Sequence, residues 1–170
     1  MNQSTSKAIR WRACCSLWTL PELRLLVPGF GLSLVWEGLQ SPFYSDTFVA
    51  PWTTVATNRL HCAGGDAAIL LTAFWIIALY WGRSWMQTSR RVLCLAFLAL
   101  GVAYTAGSEY VNVFLLQRWA YSQWMPTIGG LGVVPLLQWI VVPSMSVQLA
   151  TGGVRHSVGA YGATTQRGQP

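Results

Sequence analysis

An all-α fold, a four-helix transmembrane bundle with both ends in the cytoplasm, is predicted by three observations. Hydrophobic residues make up 53% of the 170 residues and charged residues only 9%. Soluble domains carry about 25% charged residues, so this chain has too little polar surface to coat a water-soluble globule. Four apolar stretches of near bilayer length punctuate the sequence, and the basic residues alternate between the segments that separate them.

Residues 1–20 read as a basic cytoplasmic tail, with Lys7, Arg10 and Arg12 and no acid. Pro21-Glu22-Leu23-Arg24 interrupts the apolar stretch that a secretory signal would need. Residues 21–148 read as the membrane domain. Its first crossing runs from Pro21 to Gln40, where Pro21 suits a helix start, Arg24 can snorkel to headgroups and Ser41-Pro42 ends the helix. The second, Gly64 to Gly82, is as long as one crossing requires, and its helix can begin earlier, near Pro51. A third runs from Val92 to Ser108 and can continue through Glu109 and Asn112. The fourth, Thr127 to Val147, is expected to bend at Pro135 and Pro143, freeing carbonyls that neighbouring helices must satisfy. Residues 149–170, rich in Gly, Ser, Thr and Gln, read as a disordered tail.

Charge placement fixes the expected orientation. Lys7, Arg10, Arg12 and Arg24, then Arg83, Arg90 and Arg91, then Arg155 and Arg167 fall in the odd-numbered segments; only Arg59 and Arg118 fall in the even ones. The positive-inside rule puts both termini and the middle loop in the cytoplasm. Trp52, Trp119, Tyr121 and Trp124 flank one boundary, and Trp81 and Trp85 the other, as aromatic belts do. The net charge of +6 lies beside apolar runs, the pattern of contact with anionic lipid, and predicts no nucleic-acid partner.

Chemistry is expected from the few acids. Of five in the chain, Glu37, Asp66 and Glu109 fall near the same end of three different helices, with His61, Gln40 and Asn112 at similar depth. Glu37 and Gln40 share a helical face, as do Glu109 and Asn112. An ionised carboxylate at the centre of a membrane helix costs about 2.5 kcal/mol or more, so such groups face inward, pair or stay protonated. Crowded carboxylates serve general acid–base chemistry or proton relay. Glu37, Glu109, His61 and Asp66 are therefore the candidate catalytic residues. Trp36, Gln40, Asn112, Trp119, Tyr121 and Gln138 are the candidate ligand-binding residues.

Plainer roles compete with these. Asp66 after Gly64-Gly65 suits a helix N-cap. Glu109 fits a solvated headgroup position, and Glu37 a structural pair with Arg59 or Arg118. His61 fits a surface histidine. Gln138 fits a hydrogen bond to a carbonyl freed near Pro135, and Ala103 with Gly107 a close helix contact. Gly129-Gly130-Leu131-Gly132 is too apolar for a phosphate loop and reads as helix packing. Cys14, Cys15, Cys62 and Cys94 form no C-x-x-C pair and no zinc spacing, and the sequence names no metal and no cofactor.

Several blocks resemble a family of small, uncharacterised bacterial integral membrane proteins. They are Trp36-Glu37-Gly38-Leu39-Gln40-Ser41-Pro42-Phe43-Tyr44, His61-Cys62-Ala63-Gly64-Gly65-Asp66, Ser108-Glu109-Tyr110-Val111-Asn112, Trp119-Ala120-Tyr121-Ser122 with Met125-Pro126, and Pro135-Leu136-Leu137-Gln138-Trp139-Ile140 with Pro143. The resemblance covers residues 30–147 and implies a bacterial inner-membrane location; it implies no activity. A looser similarity, in residue types and compact bundle but not in spacing, is to the emopamil-binding, sterol-isomerase-like membrane domains.

The expected function is a membrane-embedded pocket near the outer leaflet. It binds a lipid-like or other small apolar ligand, with acid–base chemistry at the carboxylates. The alternatives are a non-catalytic accessory or assembly subunit and a protein that handles protons or cations. The expected partners are membrane lipid and either a second copy of the chain or a larger membrane protein.

Overall fold

A computed structural model of the chain describes residues 19–88 and 90–165, with side chains as far as residue 152. Lys7, Arg10, Arg12, Cys14 and Cys15 lie outside the described residues, as do Arg167 and the side chain of Arg155. Helix α1 is Pro21–Gln40, followed by a 3-10 turn, Ser41–Phe43, and a short helix α2, Asp46–Val49. Helix α3 is Trp52–Trp81. A second 3-10 turn, Trp85–Thr88, leads to α4, Arg91–Tyr110, which continues as a π-helical turn over Val111–Leu115. Strands β1, Thr127–Ile128, and β2, Leu131–Gly132, form a hairpin, and α5 is Val133–Thr165.

Three segments are long and apolar enough to cross a membrane: Trp52–Trp81, Arg91–Leu115 and Val133–Gly152. Helix α1, the first expected crossing, has 20 residues but carries Glu22, Arg24 and Glu37 and is not among them. The four long helices close into one bundle in which α1 packs on α3 and α5, and α4 packs on the same two. Leu79, Val92, Leu95 and Leu149 point outward and are well exposed, an apolar exterior that water would penalise.

One end of the bundle is dry. Leu25, Phe74, Ile77, Trp85 and Phe97 are almost completely buried, and the Trp85 ring lies 5.8 Å from Phe74 and 5.3 Å from Phe97. At the same end Arg83 donates to both carboxylate oxygens of Glu22, at 2.8 and 2.9 Å, and its guanidinium lies over the Trp75 ring. Gly82 supplies the left-handed residue (φ 80°) that ends α3, and its N–H returns to the carbonyl of Ala78 at 2.8 Å.

The structure departs from the sequence expectations in five places. Gly64-Gly65-Asp66 lies inside α3, so Asp66 is not an N-cap. Each glycine weakens a helix by about 1 kcal/mol relative to alanine, but apolar surroundings offer the backbone no competing partner. Residues 127–132 form a hairpin and not the start of the fourth helix, because Gly129 (φ 60°) and Gly130 (φ 83°) adopt the paired left-handed geometry of a tight hairpin turn. Pro135 consequently sits in the first turn of α5, where a missing N–H costs nothing, and only Pro143 is interior. Helix α5 runs to Thr165, beyond the 149 boundary drawn for a tail. Ala103 and Gly107 are exposed, and a Cβ at Gly107 would meet nothing within 4 Å among the described residues; the close approaches are at Gly29, where a Cβ would overlap Leu70, and Gly101, where it would overlap the Trp139 ring.

Candidate functional site

The other end of the bundle is open. A cavity of about 520 Å³ lies there, within the size range of ligand pockets, roughly 300–1,000 Å³. Each long helix sends a polar side chain into its wall: Glu37 from α1, Asp66 from α3, Glu109 from α4 and Gln138 from α5. The cluster expected from helix depth alone therefore converges on one space.

Local chemistry positions each group. Pro42 stops α1, and the Ser41 hydroxyl donates to the Glu37 carbonyl at 2.9 Å, which fixes the last turn carrying Glu37 and Gln40. Gln40 Nε2 donates to Glu37 Oε1 at 2.7 Å, and Gln40 Oε1 accepts from the Trp36 indole at 3.1 Å. Glu37 Oε2 has no hydrogen bond of normal geometry, although Gln138 lies close by. Gln138 Nε2 donates to Asp66 Oδ2 at 2.5 Å. That replaces the expected bond to a carbonyl near Pro135: with Pro135 in the first helical turn, the pressing need is the carboxylate on α3.

Glu109 is held at both of its oxygens. Tyr44 Oη donates to its Oε1 at 3.4 Å and Tyr121 Oη to its Oε2. Tyr121 Oη also accepts from the Gly132 amide at 2.9 Å, so one carboxylate ties both connecting loops and the hairpin to α4. Backbone bonds reinforce the tie: Tyr44 and Tyr121 pair as an antiparallel bridge, with Ser45 N–H to the Ala120 carbonyl at 3.0 Å and Ser122 N–H to the Phe43 carbonyl at 2.9 Å. Glu109 is thus buried and not solvated at a headgroup boundary. Beyond it the helix widens into the π turn, a distortion frequent at functional sites. Asn112 on that turn donates to the Ser108 carbonyl at 2.8 Å, while its own Oδ1 is buried without a partner.

Arg59 does not pair with Glu37. Its Nη2 contacts Asp46 Oδ1 at 2.5 Å and its guanidinium lies 4.8 Å from the centre of the Tyr44 ring, so its charge is already answered in the first loop. Arg118 and His61 line the cavity, both exposed at its rim. Among the candidate ligand-binding residues, Gln40, Asn112, Trp119 and Gln138 line the cavity; Trp36 and Tyr121 do not, and act through Gln40 and Glu109. Tyr44, Asp46, Arg59, Thr105 and Ser108 were missed as site residues. Tyr44 had a signal, since it closes the block that begins at Trp36. Among the described residues no group of three or more His, Cys, Asp and Glu side chains is placed to hold a metal ion.

Burial pushes the Tyr44 phenol above its ordinary value, and the Glu109 carboxylate adds to the rise. Burial and the bond to Glu109 do the same for Tyr121. Both phenols stay protonated through the range where an unfolded tyrosine, with a pKa of about 10, ionises. The folded state then holds more protons than the unfolded one, so stability is full below about pH 10 and falls as pH rises further. Alkaline difference spectra are expected to show these two tyrosines ionising only on unfolding, a step that Tyr44→Phe with Tyr121→Phe abolishes.

Comparison with known proteins finds no matching family model, no matching curated protein and no matching solved structure.

Proposed function

We propose that this chain is a four-pass protein of the bacterial inner membrane whose pocket binds a lipid-like or other small apolar molecule. In this reading α1 also crosses, as the first of four, and both termini are cytoplasmic, in keeping with the alternation of basic residues. The pocket then opens beneath the outer surface. The observation that carries the reading is the convergence of Glu37, Asp66 and Glu109, from three helices, on one cavity of about 520 Å³. Burying three carboxylates is unfavourable in hydrocarbon, and a bundle that needed only stability would replace them with apolar residues.

Roles divide by satisfaction. Glu109 is held by two phenols and organises the roof of the pocket. Glu37 keeps an oxygen without a normal hydrogen bond and is the group free to touch a ligand or move a proton. Asp66 and His61 sit beside it in the wall. Acid–base chemistry in this pocket accordingly runs through Glu37, with Glu109 as its partner.

Lipids that co-purify with the wild type, identified by mass spectrometry, test the proposal against Glu37→Gln. Loss of one specific species from the variant, with unchanged folding, is the expected outcome; identical lipid content counts against a ligand pocket.

The second reading, an accessory or assembly subunit, is favoured by one observation: Ala103 and Gly107 on α4 are exposed, a Cβ at Gly107 would meet nothing within 4 Å among the described residues, and this face would admit another helix closely. Cross-linking from this face to a stoichiometric larger partner would favour it. Proton or cation handling has least support, because among the described residues the opposite end offers Glu22, already held by Arg83.

A further inference from the structure

The walls of the cavity are unequal. Its residues on α1 and α5 are buried: Glu37, Gln40, Pro135, Gln138 and Trp139. On the opposite side the lining is mixed: Thr105, Glu109 and Asn112 are buried. His61 and Gly65 on α3 and Tyr104 on α4 line the same cavity and are exposed. The cavity is therefore closed towards α1 and α5 and reaches the exterior between α3 and α4. It also runs deep, because its α3 lining extends from Asn58 to Ile69, about 16 Å along a helix. Asn58 and Arg118 mark a polar upper end; Ile69 and Tyr104 mark a lower end within the apolar segments.

Two acceptors in the wall await donors. Glu37 Oε2 and Asn112 Oδ1 are buried without a normal hydrogen bond, and both residues line the cavity. A ligand that satisfies them must donate hydrogen bonds from its polar end.

On the footing of the pocket reading above, we propose that the ligand enters sideways from the bilayer through the slot between α3 and α4, and that it is an amphiphile with a hydrogen-bond-donating head. The head, a hydroxyl or an amine, sits against Glu37 and Asn112. The hydrocarbon chain leaves past Gly65, Ile69 and Tyr104 and remains in lipid. Gly65 lies on this route: it lines the cavity, and a Cβ there meets nothing within 4 Å, so a larger side chain fits the fold and takes up space in the passage.

Cys62 lines the cavity and reports on both entrances. The experiment uses the full chain in phosphatidylcholine nanodiscs, with Cys14→Ser, Cys15→Ser and Cys94→Ser leaving Cys62 as the one thiol. Its rate of modification is followed with N-dodecylmaleimide, which arrives from lipid, and with a sulfonated maleimide, which arrives from water. Gly65→Leu is expected to slow the lipid-borne reagent and not the aqueous one, and Tyr104→Ala to speed it. Dodecylamine or dodecanol at ten times its Kd is expected to slow labelling about tenfold, with dodecanoate without effect. The amine and alcohol arms decide which head is taken. Equal effects of Gly65→Leu on both reagents overturn the lateral slot. Protection by dodecylamine against the aqueous reagent, with no access for N-dodecylmaleimide, overturns the slot and leaves the pocket reading standing. Protection by dodecanoate equal to that by the amine and alcohol overturns the donor head. No protection by any amphiphile overturns the proposal together with the pocket reading.

Discussion

Glu109→Ala is expected to cost roughly 1–4 kcal/mol of folding stability, about 1–3 kcal/mol for stranding the buried Tyr44 phenol and less for the half-buried Tyr121. Tyr44 is 4% exposed and donates to Glu109, and Tyr121 donates to the same carboxylate while accepting from the Gly132 amide. Removing the carboxylate releases the two loops and the hairpin together, so the loss should concentrate at this end of the bundle. Glu109→Gln keeps an acceptor for one phenol and is expected to lose less than half as much. Unfolding in mixed micelles measures both, and hydrogen exchange of the Gly132 amide reports whether the roof has opened. Equal stability of wild type and Glu109→Ala would remove Glu109 from its organising role.

A second large effect is expected at the dry end. Trp85→Ala should cost about 3–5 kcal/mol, the usual range for emptying a core aromatic site. Trp85 is 1% exposed and packs between Phe74 and Phe97, so no exposed route lets the neighbours collapse cheaply. Its indole nitrogen has no hydrogen-bond partner, which makes the contribution one of packing alone. Trp85→Phe therefore keeps most of the stability despite losing the indole N–H. A variant pair with equal losses would show that the nitrogen matters after all. Because Trp85 does not line the cavity, neither substitution is expected to change ligand content in protein that remains folded.

The bundle was legible where apolar runs dominate, as in "AAILLTAFWIIALYW" within α3 and "VLCLAFLALGVAYTAG" within α4. Convergence of Glu37, Asp66 and Glu109 was legible too, since alternating helix direction puts them at one end and hydrocarbon forbids scattering them. What failed was local. Gly64-Gly65-Asp66 suits an N-cap, yet the helix runs through it from Trp52, the earlier start near Pro51, because in apolar surroundings helix satisfies the backbone. Gly129-Gly130 looks like a packing stripe, because nothing in an apolar string announces positive φ. Partner choice was also hidden: Arg59 takes Asp46, 13 residues back, and Gln138 takes Asp66 across the bundle, and neither spacing is a motif. The exposure of His61, Gly65 and Tyr104 in the cavity lining depends on how the helices pack, which no periodicity records.

The central claim is that the carboxylates gather to hold a molecule. An experimental structure of protein extracted with its native lipids tests this most directly. The account predicts elongated density in the cavity, its head within hydrogen-bond distance of Glu37 Oε2 and its tail passing Gly65 towards lipid. Ordered water alone among Glu37, Asp66 and Glu109, in protein never exposed to delipidating detergent, would contradict it.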